Sequence, residues 1–154
     1  MGIMHLRTVS GRLKSFWGRT PARTINPRLL IVDDEETVCF SMSEYFSLHG
    51  YLVDTAHDLA EASRLIAAED YQVIIQDLRL DSTGDTSGIN VIRIAHQKCP
   101  ATHIVVLTAY GSNEMERETR RYGASAFLQK PKPLSQVAQV VQSLLESPVR
   151  KLAS

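Results

Sequence analysis

Short, uninterrupted apolar runs alternate along this chain with longer segments whose apolar residues recur every three or four positions. Leu29-Leu30-Ile31-Val32, Val73-Ile74-Ile75, Ile104-Val105-Val106-Leu107 and Ala126-Phe127-Leu128 are too short for buried helices and mostly β-branched, which predicts strands buried on both faces. With Tyr51–Thr55 added, the expected strands are Leu29–Asp33, Tyr51–Thr55, Tyr71–Asp77, His103–Leu107 and Ser125–Leu128. A first helix is expected over Glu36–His49, with Val38, Tyr45, Phe46 and Leu48 facing inward and Gly50 closing it. Asp58 caps a second helix, where Leu59, Ala62, Leu65 and Ile66 share a face. A polar loop, Arg79–Ser87, ends at Gly88; Ile89, Val91, Ile92 and Ala95 then mark a helix that stops before Pro100. Asn113–Tyr122 is a charged helix with Glu116 and Arg120 at ion-pair spacing and Gly123 at its end. Pro133 opens the last helix, which carries Val137, Val140, Val141, Leu144 and Leu145. Strict strand–helix alternation predicts an α/β fold: a doubly wound, five-stranded parallel sheet with helices on both faces.

Charge divides the chain unevenly. Its 17 Lys/Arg and 17 Asp/Glu cancel, but residues 1–28 hold six basic and no acidic side chains. The organisation is therefore a basic extension over 1–27, a domain over 28–147 and a short tail over 148–154. The acidic body disfavours nucleic acid as a direct partner. In the extension, Leu6, Val9, Leu13 and Phe16-Trp17 fall at helical spacing among Arg7, Arg12 and Lys14. That segment is either an amphipathic helix, able to touch an anionic membrane through 1–20 or to dock on a partner, or a poorly ordered leader. No apolar run is long enough to span a membrane and no signal-peptide core is present, which makes the cytoplasm the expected location. Cys39 and Cys99 lack metal-ligand spacing and are expected to be reduced thiols.

The candidate chemistry gathers at the strand ends. Asp33-Asp34 follow the first strand, Asp77 the third, Thr108 the fourth and Lys130 the fifth. Ligands collect at this edge of a parallel sheet, and strands one and three flank the point where the strand order reverses. Three adjacent carboxylates repel one another unless a cation joins them, and an all-oxygen set suits Mg²⁺. A carboxylate can also accept a phosphoryl group, whose oxygens a metal, a hydroxyl and an ammonium would neutralise. Any one of these aspartates alone is more simply a helix cap or a solvated loop residue; the set carries the reading.

The segments LLIVDDEETV, QDLRL, VVLTAYG and AFLQKPKPL, in this order over residues 28–147, resemble the receiver domain of bacterial two-component response regulators. The resemblance implies a flavodoxin-like sheet of order 2-1-3-4-5. It also implies Mg²⁺ held by Asp33, Asp34, Asp77 and the Arg79 backbone carbonyl, and Asp77 as phosphoacceptor. Thr108 and Phe127 match the switch hydroxyl and switch aromatic, Lys130 the family lysine, and Lys130–Pro131 a cis bond. A histidine kinase or histidine phosphotransfer protein is the implied donor and a downstream protein the implied target; dimerisation is left open. The sequence departs from the pattern after Asp77, where Leu80-Asp81 replaces the usual Met-Pro and Gly88 comes late, so that Gly84 is a rival for the glycine role. Arg79 and Tyr110, each two residues beyond a site residue, border the expected phosphoryl position, where Tyr110 could hinder attacking water.

Two alternatives remain at this level. One is a receiver-like interaction module that works unphosphorylated. The other is an aspartyl-nucleophile phosphatase of the haloacid dehalogenase type, which requires Asp-x-Asp after the first strand; Asp33-Asp34-Glu35 lacks the second aspartate. The switch reading makes the chain a phosphoacceptor and not a turnover enzyme.

Overall fold

A computed structural model describes residues 26–80 and 87–147. Expectations placed on 1–25, Gly84 and the tail therefore lie outside the described residues. The described chain contains β1 (Arg28–Val32), α1 (Glu36–Leu48), β2 (Leu52–Ala56), α2 (Leu59–Ala68) and β3 (Val73–Gln76). It continues with α3 (Ser87–Lys98), β4 (His103–Thr108), α4 (Asn113–Tyr122), β5 (Ala126–Gln129) and α5 (Leu134–Glu146). The strands form one parallel sheet in the order β2-β1-β3-β4-β5. Among the described residues no helix is long and apolar enough to cross a membrane.

Side-chain alternation along β1 feeds two cores. Leu30 and Val32 pack with α2 and α3 through Ala62, Ile66, Ile89, Val91, Ile92 and Ala95. Leu29 and Ile31 face α1 and α5 through Cys39, Met42, Phe46, Val137 and Val141. Burying each such aliphatic side chain contributes about 2 kcal/mol, which makes the middle of the sheet the rigid part of the molecule. The edge strands β2 and β5 are only partly covered, in keeping with their less apolar sequences.

Local signals set most boundaries. The Asp58 carboxylate accepts the Glu61 backbone N–H at 2.7 Å, and Ser112 caps α4 by accepting from Met115 N at 3.1 Å. Gly50 and Gly123 adopt φ of 89° and 119°, the left-handed turn that lets the chain leave α1 and α4. Glu116 and Arg120 pair at 2.9 Å, as their spacing suggests.

Two expectations are corrected. Leu48 faces solvent, with 84% of its surface exposed, because Cys39, Met42 and Phe46 already fill the core face. Two residues past Phe46 the helix has turned about 200°, pointing Leu48 outward. Gly88 does not end the loop but lies inside the first turn of α3. There its N–H donates to the Leu78 carbonyl at 3.2 Å. A Cβ at Gly88 would stand 2.5 Å from Leu78 Cα and 2.7 Å from the Asp77 carbonyl oxygen, so the glycine lets α3 lie against the backbone that carries Asp77. Gly88→Ala is expected to destabilise the fold by about 3 kcal/mol through this backbone overlap, measurable as a lower urea midpoint at unchanged m value. An unshifted midpoint would show that the contact yields easily.

Candidate functional site

The β-ladder register brings the strand ends together. Val32 pairs with Gln76, and Asp77 N donates to the Val32 carbonyl at 2.9 Å, so Asp33 and Asp77 emerge side by side. Lys130 N donates to the Thr108 carbonyl at 2.8 Å, which carries the lysine one step past β5 toward the same corner. One carboxylate oxygen each from Asp33, Asp34 and Asp77 lie within 4.8 Å of one another. Asp33 and Asp77 are buried, at 3% and 8% exposure, whereas Asp34 is exposed.

Hydrogen bonds fix the buried pair. Asp33 Oδ1 accepts the Glu35 N–H at 3.0 Å, while Lys130 Nζ donates to Asp33 Oδ2 at 2.8 Å and to Asp77 Oδ2 at 3.1 Å. The other Asp77 oxygen accepts the Arg79 N–H at 3.3 Å. Thr108 is fully buried and its Oγ1 accepts the Tyr110 N–H at 3.3 Å. The structure therefore brings together Asp33, Asp34, Asp77 and Lys130, with Thr108 at the adjoining strand end. The bond Lys130–Pro131 is cis.

The electrostatics are unbalanced. Burial alone would lower the Lys130 pKa, but its contacts with Asp33 and Asp77 outweigh that and raise it, so the side chain stays an ammonium. Burial also raises the Asp33 pKa, and there the hydrogen bond from Lys130 offsets only part of the effect. One ammonium thus does not compensate for the buried carboxylates. A hard divalent cation among the three oxygens would, and the donor set fits Mg²⁺.

Three contacts were beyond sequence reasoning or only half visible to it. The Arg79 guanidinium carbon lies 3.7 Å from the centroid of the Tyr110 ring, so the two residues that border the site stack on each other. Their common offset of two residues was visible; the stacking between different loops was not. Cys39 Sγ donates to the Asp33 carbonyl at 3.3 Å, and burial pushes its thiol up to about 11, which marks it as a packing thiol that holds β1's end. The Gln76 side chain, buried beside Asp77, donates to the Gly88 carbonyl at 2.5 Å and ties α3 to β3. No spacing rule points to either residue. Phe127 is half-buried, packs against the α2–α3 core and lies next to Gly111.

Known proteins share this sequence pattern and fold. The family model for the response regulator receiver domain matches residues 29–142. The chain is 29% identical over 119 residues to the photosynthetic apparatus regulatory protein RegA of Cereibacter sphaeroides, covering 77% of this chain. It spans 63% of RegA, less than two thirds of that protein's length. A CheY-like receiver domain from Methanospirillum hungatei superposes with a TM-score of 0.73 at 26% identity, covering 78% of this chain and 94% of that one. A response regulator from Burkholderia pseudomallei, solved with a phosphorylated aspartic acid, a calcium ion and citrate, gives a TM-score of 0.68 at 31% identity. That match covers 80% of this chain and 76% of the other.

Proposed function

The chain belongs to the response regulator receiver family, and from that premise we propose that it is a phosphorylation switch whose phosphoacceptor is Asp77. The observation that carries this reading is the ammonium of Lys130 bridging Asp33 and Asp77 beside a three-carboxylate cluster. Asp33, Asp34, Asp77 and the Arg79 backbone carbonyl would hold Mg²⁺, which when bound neutralises phosphoryl oxygens.

The chain's own groups have separable tasks. An Asp77 carboxylate oxygen attacks the phosphorus of a phosphohistidine on a histidine kinase or phosphotransfer protein. A P–O bond forms as the P–N bond breaks, and the imidazole leaves with the bonding pair. Lys130 Nζ follows the charge onto a phosphoryl oxygen, and the Thr108 hydroxyl takes another. Moving Thr108 changes the space beside Gly111, where Phe127 packs, and this biases the α4–β5–α5 face toward a downstream protein. The place of action is the cytoplasm.

The test is intact mass after incubation with acetyl phosphate. One phosphoryl group gained with Mg²⁺ and none with EDTA supports the switch, while no adduct in either favours a module that works unphosphorylated. Continuous release of phosphate from varied esters would favour the phosphatase.

Tyr110 is expected to lengthen the phosphorylated lifetime. Its stacking on Arg79 is worth about 1 kcal/mol, enough to hold the ring near the path of attacking water. Tyr110→Ala and Arg79→Ala are each expected to speed loss of the phosphoryl group by roughly threefold to tenfold. An unchanged half-life in both would remove this role.

A further inference from the structure

Helix α1 turns an apolar stripe to solvent that the Asp77 site does not use. Phe40 is 68% exposed and Leu48 is 84% exposed, although the core face of the helix is complete without them. Phe40, Glu44 and Leu48 follow one another at four-residue steps and form a row about 12 Å long. From its cap onward the helix carries Glu35, Glu36 and Glu44 and no Lys or Arg. Leu52, also exposed, is elsewhere: strand alternation puts Val53 on the α1 side of β2 and Leu52 on the opposite side.

Residues 1–25 hold the complementary chemistry. Leu6, Val9, Leu13, Phe16 and Trp17 fall at helical spacing, and the only charged side chains are Arg7, Arg12, Lys14, Arg19 and Arg23. The segment joins the domain at the right place. The Pro27 carbonyl accepts the Leu52 N–H at 3.0 Å, four residues past the end of α1, so the chain enters β1 beside the Leu48 end of the stripe. Twenty-five residues reach about 38 Å even as a helix, against about 20 Å for α1.

We propose that residues 1–25 dock their apolar face on the Phe40–Leu48 stripe of α1, with their basic side chains against Glu36 and Glu44. The occupant of the stripe is this chain's own N-terminal segment. The contact is intramolecular, so the tether raises its effective concentration and makes it independent of protein concentration. It is also independent of whether Asp77 is phosphorylated, since neither surface includes a site residue.

The single tryptophan, Trp17, lies in the docking segment and reports on it in the intact chain. Its emission is expected to be blue-shifted and quenched by acrylamide about threefold less than that of free tryptophan, at every protein concentration. The double substitution Phe40→Asp with Leu48→Asp is expected to red-shift the emission and restore quenching while far-UV circular dichroism stays unchanged. Leu52→Asp is expected to leave it alone. Should the aspartate pair disturb folding, Phe40→Ser with Leu48→Ser gives the same reading. Solvent-like Trp17 emission in the unmodified chain overturns the proposal, as does a blue shift that survives the stripe substitutions. A shift that grows with protein concentration assigns the stripe to a second copy. One that appears only with phosphatidylglycerol vesicles assigns the segment to membranes. Either result overturns the proposal.

Discussion

Asp77→Asn is expected to abolish phosphoryl uptake from acetyl phosphate, with a loss of at least about a hundredfold against the unmodified chain. The amide keeps the shape of the carboxylate but lacks its charge and its nucleophilic lone pair. Folding is expected to survive, because Lys130 keeps Asp33 at 2.8 Å as an anionic partner. The carbonyl of the substituted amide still accepts the Arg79 N–H that Asp77 accepts at 3.3 Å. Intact mass with acetyl phosphate and Mg²⁺ is the measurement, accompanied by circular dichroism to confirm folding. A folded variant that still gains one phosphoryl group would move the acceptor to another side chain, with Asp33 and Asp34 the candidates in the cluster.

Asp33→Asn is expected to separate stability from function. Burial raises the Asp33 pKa in the folded chain, and Lys130 only partly offsets that. A carboxyl raised on folding contributes stability that is fully present below its unfolded pKa and is lost as pH rises through the folded value. At neutral pH the ionised Asp33 therefore opposes folding. Its amide removes that charge, and its single carbonyl oxygen still accepts from Lys130 at the cost of the Glu35 N–H contact. The thermal midpoint at pH 7 without divalent cations is expected to rise by about 3 °C. At a pH below the carboxylate range the two chains are expected to converge. Mg²⁺ is expected to raise the midpoint of the unmodified chain by binding the folded state and to leave the variant nearly unmoved. A midpoint that falls would show that the ionised Asp33 supports folding, and a Mg²⁺ response that persists would place the ion away from Asp33.

Much of this was legible in the sequence because the fold writes itself in short apolar runs. β1, β3 and β4 are buried on both faces, so their middles are apolar and polar residues enter only toward their ends, as Gln76 and Thr108 do. The one or two polar residues that follow each run mark a strand end, and in a doubly wound sheet those ends converge. Asp33, Asp77 and Lys130 can thus be placed in one corner from the pattern of the chain. Amphipathic helices are less explicit. Phe46 and Leu48 are equally apolar, and only the helical turn between them decides which faces the core. Gly88 misleads because a glycine that stops a loop and one that admits a neighbouring backbone look identical in one dimension. The Arg79–Tyr110 stack joins two loops separated by a strand and a helix, a relation that no local periodicity encodes.

The ammonium that bridges the acidic corner arrives late in synthesis. Lys130 pairs with carboxylates 97 and 53 residues earlier in the chain. As the polypeptide leaves the ribosome, β1 and β3 can pair before β5 exists, since both precede it in the chain. A chain with β1 and β3 paired and β5 still to come would hold Asp33, Asp34 and Asp77 together without the Lys130 ammonium. Its acidic corner would be open to free divalent ions until the last strand and its lysine take their place.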